Sequence, residues 1–347
     1  MKTIKTLAMI FATVAMFATS CTPADNGGES VKADLTELNA AIAACEDALT
    51  DAEGSYPADA ITTLETLVAT AKAAAATDLS QTAADNLTQQ LNAALEVFLA
   101  TKLDAIPASA LAFALSFDEG QGASLTTTGA NQWTANLMAC EDGYVANTAI
   151  PTFVDGKKGK ALKFANGGHL EISDYAQNVL VGNEFSIAAW LKVEEANDAN
   201  FVVSYNTWHT WKLNIPSHGK PFFTVATENG IVDMDNETDQ SVPVGEWAHL
   251  VVTCNTTVGS VCFYVNGSLT KEWTVESKGA GLQGSIVVPE TAIPLCIGAE
   301  MSNAEVAVAD WVTEDAPFGS YFRGIIDEFK FYNVALTAGQ AAALYNE

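Results

Sequence analysis

The chain has 347 residues, 49% hydrophobic and 17% charged, with 16 Lys+Arg against 42 Asp+Glu and a formal net charge of −26. At about 100–200 residues per domain this length suits two domains, and the acid excess repels phosphate, which excludes a nucleic-acid partner. With 9% aromatics and 24 glycines it is not a disordered acidic tail, and no apolar run after residue 20 reaches the roughly 20 residues of a membrane-spanning helix.

Lys2 and Lys5 precede an apolar stretch from Leu7 to Phe17, followed by Ala18-Thr19-Ser20-Cys21. A basic start, a short apolar centre and small residues before a break predict a secretory leader over residues 1–20. The last four residues resemble a bacterial lipoprotein lipobox, which implies cleavage before Cys21 and acylation of its thiol. Ala18 stands where Leu is commoner. Ordinary secretion with cleavage nearby is the plainer alternative. Acyl chains on Cys21 would anchor the chain to outer-membrane lipid, and residues 21–30, polar and Gly-containing, read as a flexible tether. The tether resembles the acidic export tags of surface lipoproteins in glycan-foraging bacteria, which implies a cell-surface location and glycan-uptake partners.

Residues 31–104 are Ala-rich. Leu35, Leu38, Ile42, Cys45 and Leu49 repeat at helical spacing, as do Ile61, Leu64, Val68, Ala71 and Ala75, and again Ala84, Leu87, Leu91, Ala94 and Phe98. This period predicts three helices, each with one apolar stripe, packed as an antiparallel bundle. Asp34 with Glu37 offers a capping box, Pro57 a first-turn residue and Ser80 an N-cap. The Tyr56-Pro57 pair and the sequence AADNLTQQLNAAL resemble the small FIVAR-type bundles of bacterial surface proteins, which implies a spacer.

From Leu111 the pattern changes to short alternating runs, Phe113/Leu115/Phe117, Phe185/Ile187/Ala189/Leu191 and Val261/Phe263/Val265, broken by Gly, Asn and Asp. Many strands and one C-terminal helix, N-capped by Thr337, predict an antiparallel sandwich over 107–347. Five cysteines follow Cys21, an odd number without a CxxC pair. Cys254 and Cys262 flank a polar turn where a bridge across a hairpin is one outcome.

Nine blocks occur in order: FALSFDEGQG, DGKKGKALKF, HLEI, FSIAAWLK, GEWAHLVVT, CFYVNGSL, PLCIGAE, FRGIIDEFKFYNVAL and AAALY. Together they resemble a laminin-G-like domain of the concanavalin A-like lectin/glucanase superfamily. That resemblance implies a mainly β fold, a jelly roll of two antiparallel sheets beside the small three-helix bundle, and glycan binding or glycan cleavage as the activity. Glucanases of this fold carry ExDxxE on one strand, and the sequence has none; Glu171/Asp174 and Asp327/Glu328 point to opposite faces. A non-catalytic carbohydrate-binding lipoprotein is therefore the expectation, with a protein-binding adhesin or a divergent glycan-cleaving hydrolase or lyase as alternatives.

Relatives of this kind often hold a structural calcium. Asp327, in phase with Phe329 and Phe331, is expected to point inward, with Asp118 or Glu119 as further ligands; backbone N–H groups or a bulge turning Asp327 outward are the alternatives. The run Asp233, Asp235, Glu237, Asp239 reads as a solvated acidic loop. Sugars are held by aromatic faces with polar groups at the rim. Two segments in expected loops supply them: Tyr205 to Trp211, and the long connection from Met301 to Ser320. Trp208 and Trp311 are the leading ligand contacts, with Tyr205, His209 and Asp310 beside them; Trp211, Trp190 and Trp247 read as structural.

Overall fold

The computed structural model of the protein describes residues 32–50, 52–53, 55–177 and 182–347. The leader, the lipidation candidate Cys21 and the tether lie outside the described residues.

The apolar stripes fold as three helices, α1 (Thr36–Leu49), α2 (Ala58–Ala75) and α3 (Gln81–Leu99). Leu38, Ile42 and Cys45 of α1, Leu64, Val68 and Ala71 of α2, and Ala84, Leu91 and Phe98 of α3 are buried together. Tyr56 stacks on Phe98 with ring centroids 4.2 Å apart. Ser80 caps α3, its hydroxyl accepting from the N–H of Ala83. Asp34 and Glu37 do not form a capping box. The helix starts at Thr36, and Asp34 Oδ1 accepts from the N–H and hydroxyl of that residue instead. After α3 the chain meets the end of the molecule: Asp104 accepts from the Thr337 hydroxyl at 2.8 Å and the Ala105 carbonyl from the Gln340 amide at 3.1 Å.

The remaining chain forms two antiparallel sheets. Its strands are β1 (Leu111–Leu115), β2 (Ser124–Thr126), β3 (Thr134–Met138), β4 (Thr152–Asp155), β5 (Lys160–Phe164), β6 (His169–Ile172), β7 (Glu184–Val193) and β8 (Phe201–Tyr205). There follow β9 (Trp211–Asn214), β10 (Phe222–Thr227), β11 (Gly230–Asp235), β12 (Ala248–Asn255), β13 (Ser260–Val265), β14 (Ser268–Thr274), β15 (Leu295–Ile297) and β16 (Gly324–Tyr332). The first sheet runs β14-β13-β12-β7-β16-β5-β4 with β1 also on β16, and the second runs β11-β10-β9-β8-β15-β6-β3-β2. Alternate residues of each, such as Phe185, Ile187, Ala189 and Leu191 of β7 and Trp211 and Leu213 of β9, meet in one apolar core, as the period of two requires.

One bulge changes the expected direction of a carboxylate. Asp327 pairs with Trp190 and Lys330 with Ala188, so β16 carries one extra residue between them, and Glu328 takes φ 50°. The extra residue reverses the alternation. Phe329 and Phe331 face the core, whereas Asp327 shares the outer side with Trp190, correcting the inward direction that plain alternation predicts. The cysteine bridge is corrected by register. Cys254 pairs with Val261 and Cys262 with Thr253, so the two thiols project from opposite faces, and both are free.

The C-terminal helix α4 (Ala338–Asn346) is capped by Thr337 and Gln340 and lays Ala341 and Leu344 on Ala188, Val251, Tyr264 and Tyr332. The outer face of the first sheet is covered in this way; the outer face of the second carries the site.

Candidate functional site

Four residues stand in register across the outer face of the second sheet: Ser204 on β8, Lys212 on β9, Thr224 on β10 and Asp233 on β11. Lys212 falls between the inward Trp211 and Leu213, so alternation sends its long side chain outward. There it is covered, at 1% exposure. Its ammonium donates to Asn214 Oδ1 at 2.9 Å and lies over the rings of Trp208 at 4.0 Å and Phe222 at 4.4 Å. Burial pushes the amine down to about 8, opposed by the carboxylates of Asp233 and Glu300. Thr224 donates to Asp233 Oδ1 at 2.7 Å, while the buried Ser204 hydroxyl has no partner.

Trp208 sits on a tight turn between β8 and β9. Asn206 and Thr207 both take left-handed backbone, φ 53° and 38°, a conformation that is costly for a β-branched residue. The Thr207 hydroxyl donates to Glu300 Oε1 at 2.9 Å, Asn206 Nδ2 donates to the Thr210 hydroxyl at 3.2 Å, and the His209 N–H donates to the Asn206 carbonyl at 2.9 Å. The turn therefore leaves the indole 41% exposed, with one side against Phe222 and the Lys212 ammonium. A groove of about 680 Å³ opens here, lined by Trp208, Phe222, Phe201, Asp198 and Glu300 among others, within the usual size of small-ligand sites. Hydrogen bonds from the hydroxyl and N–H of Ser217 hold the Asp198 carboxyl below its ordinary range. An aromatic wall facing carboxylate acceptors suits a ligand with an apolar C–H face and a hydroxylated rim.

Of the expected ligand contacts, Trp208 lines this groove. Tyr205 does not. It keeps phase with the inward Val203, is 1% exposed, and packs on Tyr175 at 4.8 Å inside the sandwich, so its assignment as a loop aromatic is corrected. His209 is exposed in the Trp208 turn but outside the groove lining. Trp311 and Asp310 lie elsewhere. The 299–321 connection folds over its own small core of Val306, Val312 and Phe318 with Cys140, and the Trp311 ring leans on Phe318 at 6.2 Å. Lys212, Phe222, Asp198 and Glu300 were not singled out from sequence. The outward phase of Lys212 between two apolar residues was the available signal.

The expected metal residues gather on another turn. The segment between β4 and β5 presents the Lys158 N–H to Asp327 Oδ2 at 2.9 Å and the Lys160 N–H to Asp118 Oδ1 at 2.8 Å. Gly159, at φ 48°, makes this approach feasible, because a Cβ there would lie 2.0 Å from Asp118 Oδ1. Burial raises the Asp327 carboxyl to about 6 against the Lys158 hydrogen bond, and its Oδ1 has no partner. Glu119 is exposed. Among the described residues no three His, Cys, Asp or Glu side chains converge as a metal site. The run from Asp233 to Asp239 is offset by lysines: Lys220 pairs with Asp235 and Asp239, and Lys271 with Glu237.

Comparison with solved structures returns proteins of low identity. Domain 4 of AbnA, a GH43 extracellular arabinanase from Geobacillus stearothermophilus solved with arabinotriose, is 18% identical with a TM-score of 0.47, the match covering 68% of this chain and 98% of that one. The binding domain of Paraclostridial Mosquitocidal Protein 1 is 15% identical, TM-score 0.48, over 69% of this chain and 52% of its own. The receptor binding domain of the botulinum neurotoxin C/D mosaic serotype is 13% identical, TM-score 0.47, over 69% and 51%; this chain thus spans about half the length of the two toxin domains. No curated protein matches the sequence. A family model of the laminin-G type matches residues 164–342, just over half of the chain, and with the two-sheet sandwich this places the protein in the concanavalin A-like lectin/glucanases superfamily.

Proposed function

We propose that the protein captures a glycan without cleaving it, in the groove over β8, β9 and β10, and that acylated Cys21 holds it on the outer surface of the outer membrane beside a glycan-uptake system, with the helical bundle as spacer. The observation that carries this reading is Trp208: a strained turn, fastened through Thr207 to Glu300, holds its indole over the groove. Retention without cleavage is supported by the carboxyls. Glycoside hydrolysis pairs a carboxylate with a second carboxyl whose pKa is raised. The carboxyl raised to about 6, Asp327, belongs to the first sheet and lies under the β4–β5 turn, whereas Asp198 in the groove is held low. Membrane anchoring is supported by the leader and lipobox pattern alone.

A glycan array with wild type and Trp208→Ala tests the site. Loss of the aromatic face is expected to weaken retention by about tenfold or more, with the thermal melt within a few degrees of wild type. Retained binding in the variant would remove Trp208 from the site, and release of reducing ends from a bound polysaccharide would make the protein an enzyme. Incorporation of labelled palmitate that is abolished by Cys21→Ala tests the anchor.

Protein binding is the second reading, and one patch favours it. Tyr144, Val308 and Trp311 are 58%, 81% and 51% exposed on loops joined by the hydrogen bond from the Phe318 N–H to the Gly143 carbonyl. An array with no retained sugar, together with a protein partner lost on Trp311→Ala, would support the adhesin.

A further inference from the structure

The groove contains one buried cation and two carboxylates. Among the described residues that line it, Lys212 is the single lysine or arginine. An anionic ligand would normally be held by such a group. Here the ammonium is out of reach. It is 1% exposed, donates to Asn214 Oδ1, and is roofed by Trp208 and Phe222 at 4.0 and 4.4 Å. Its charge contributes to holding the indole in place as a cation–π partner and is not presented to a ligand. A carboxylate could reach it only by displacing Trp208, the surface on which the sugar is to stack.

Besides Lys212, the ionisable side chains that line the groove are Asp198, Glu300 and His218, so with histidine counted as neutral the formal charges left for a ligand to meet are negative. Asp198 is kept ionised by two hydrogen bonds from Ser217, and Glu300 accepts the Thr207 hydroxyl that fixes the Trp208 turn. The chain around them carries a formal charge of −26, so the long-range field also opposes an approaching polyanion. Carboxylate oxygens accept hydrogen bonds from sugar hydroxyls, but against a uronate or a sulfate they place like charges side by side along the groove.

Resting on the glycan reading above, we infer that this groove selects uncharged sugars and refuses uronic acids and sulfated glycans. The test sets each neutral polymer against its own form oxidised at C6, galactan against C6-oxidised galactan and mannan against C6-oxidised mannan, each measured with the full chain by affinity electrophoresis and calorimetry. At least one neutral polymer is expected to bind about tenfold or more tighter than its acidic counterpart. Its affinity is expected to change less than about twofold between roughly 50 and 500 mM NaCl, because no ion pair forms. Glu300→Gln deletes a charge while keeping an oxygen for Thr207, and should narrow the neutral-to-acidic ratio by about threefold or more. Asp198→Asn reads the same ratio from the other wall, so misfolding of one variant does not decide the outcome. An acidic polymer bound as tightly as its neutral counterpart, or ratios unmoved in both folded variants, overturns the inference and leaves glycan capture standing. Binding of neither polymer class, on these pairs or on the array, withdraws glycan capture and this inference together.

Discussion

Asp327 and His249 flank Trp190 in the register of the first sheet, and burial acts on them in opposite directions. The Asp327 carboxyl is raised to about 6 by burial, with the Glu328 carboxylate adding to the shift and the Lys158 N–H opposing it. The His249 imidazole is lowered to about 3 by burial, and Lys330 and Lys158 add to that; its Nδ1 has no partner. Asp327 binds its proton more tightly folded than unfolded, so its contribution is fully present below about pH 4 and is lost as pH rises through about 6. His249 binds its proton less tightly when folded, so its contribution is present above about 6.5 and is lost as pH falls towards 3. Between pH 4 and 6 the two slopes oppose each other. Asp327→Asn removes one of them and keeps an oxygen for the Lys158 N–H. Relative to wild type, its stability is expected to improve by about 2–3 kcal/mol between pH 4 and pH 7, measured by urea unfolding at both values. A difference that stays constant with pH would mean that Asp327 titrates as an ordinary carboxyl.

The turn between β4 and β5 shows what the sequence makes legible and what it hides. Asp118 and Asp327 were recognisable as a pair that the fold brings together, and both do reach this one turn. The extra residue at Glu328 was not legible, because a bulge is set by which backbone groups pair with β7 and leaves no mark on the alternation of Asp327, Phe329 and Phe331. The helical stripes were readable because every buried position recurs at 3.6 residues. Tyr205 was misplaced although its phase with Val203 was visible. That Trp208 lies on a turn was readable because it falls after the strand ends. The separation of Trp311 from Trp208 depends on contacts of the 299–321 connection with Cys140 and Gly143, far away in the chain. At this turn each carboxylate already accepts a backbone N–H. Calcium removal is therefore expected to move the melting temperature by less than about 1 °C, where loss of a structural ion worth 1 kcal/mol or more would lower it by about 2–4 °C. A drop of that size in chelator, reversed by added calcium, would mean that a cation completes the free Asp327 Oδ1.

Of the apolar cores among the described residues, the two largest are separate, one in the helical bundle and one between the sheets, and a short set of hydrogen bonds near Asp104 and Ala105 meets the last helix. If each core supports its own cooperative unit, damage to one should leave the other standing. Leu91 is fully buried at the centre of the bundle, and Leu91→Ala removes about 2–5 kcal/mol, a large part of what a unit of this size holds at about 0.05–0.15 kcal/mol per residue. The chain supplies its own reporters, since all seven tryptophans lie from Trp133 to Trp311 and none in the bundle. Tryptophan fluorescence therefore follows the sandwich alone, while circular dichroism at about 222 nm is weighted towards the helices. In Leu91→Ala the helical signal is expected to melt early while the fluorescence transition and glycan retention stay at their wild-type values. That outcome fits a bundle that acts as a spacer. A fluorescence transition that falls together with the helical one would instead mean that the contacts of Asp104 and Ala105 with Thr337 and Gln340 couple the bundle to the sandwich, and the bundle would then be part of what stabilises the binding groove.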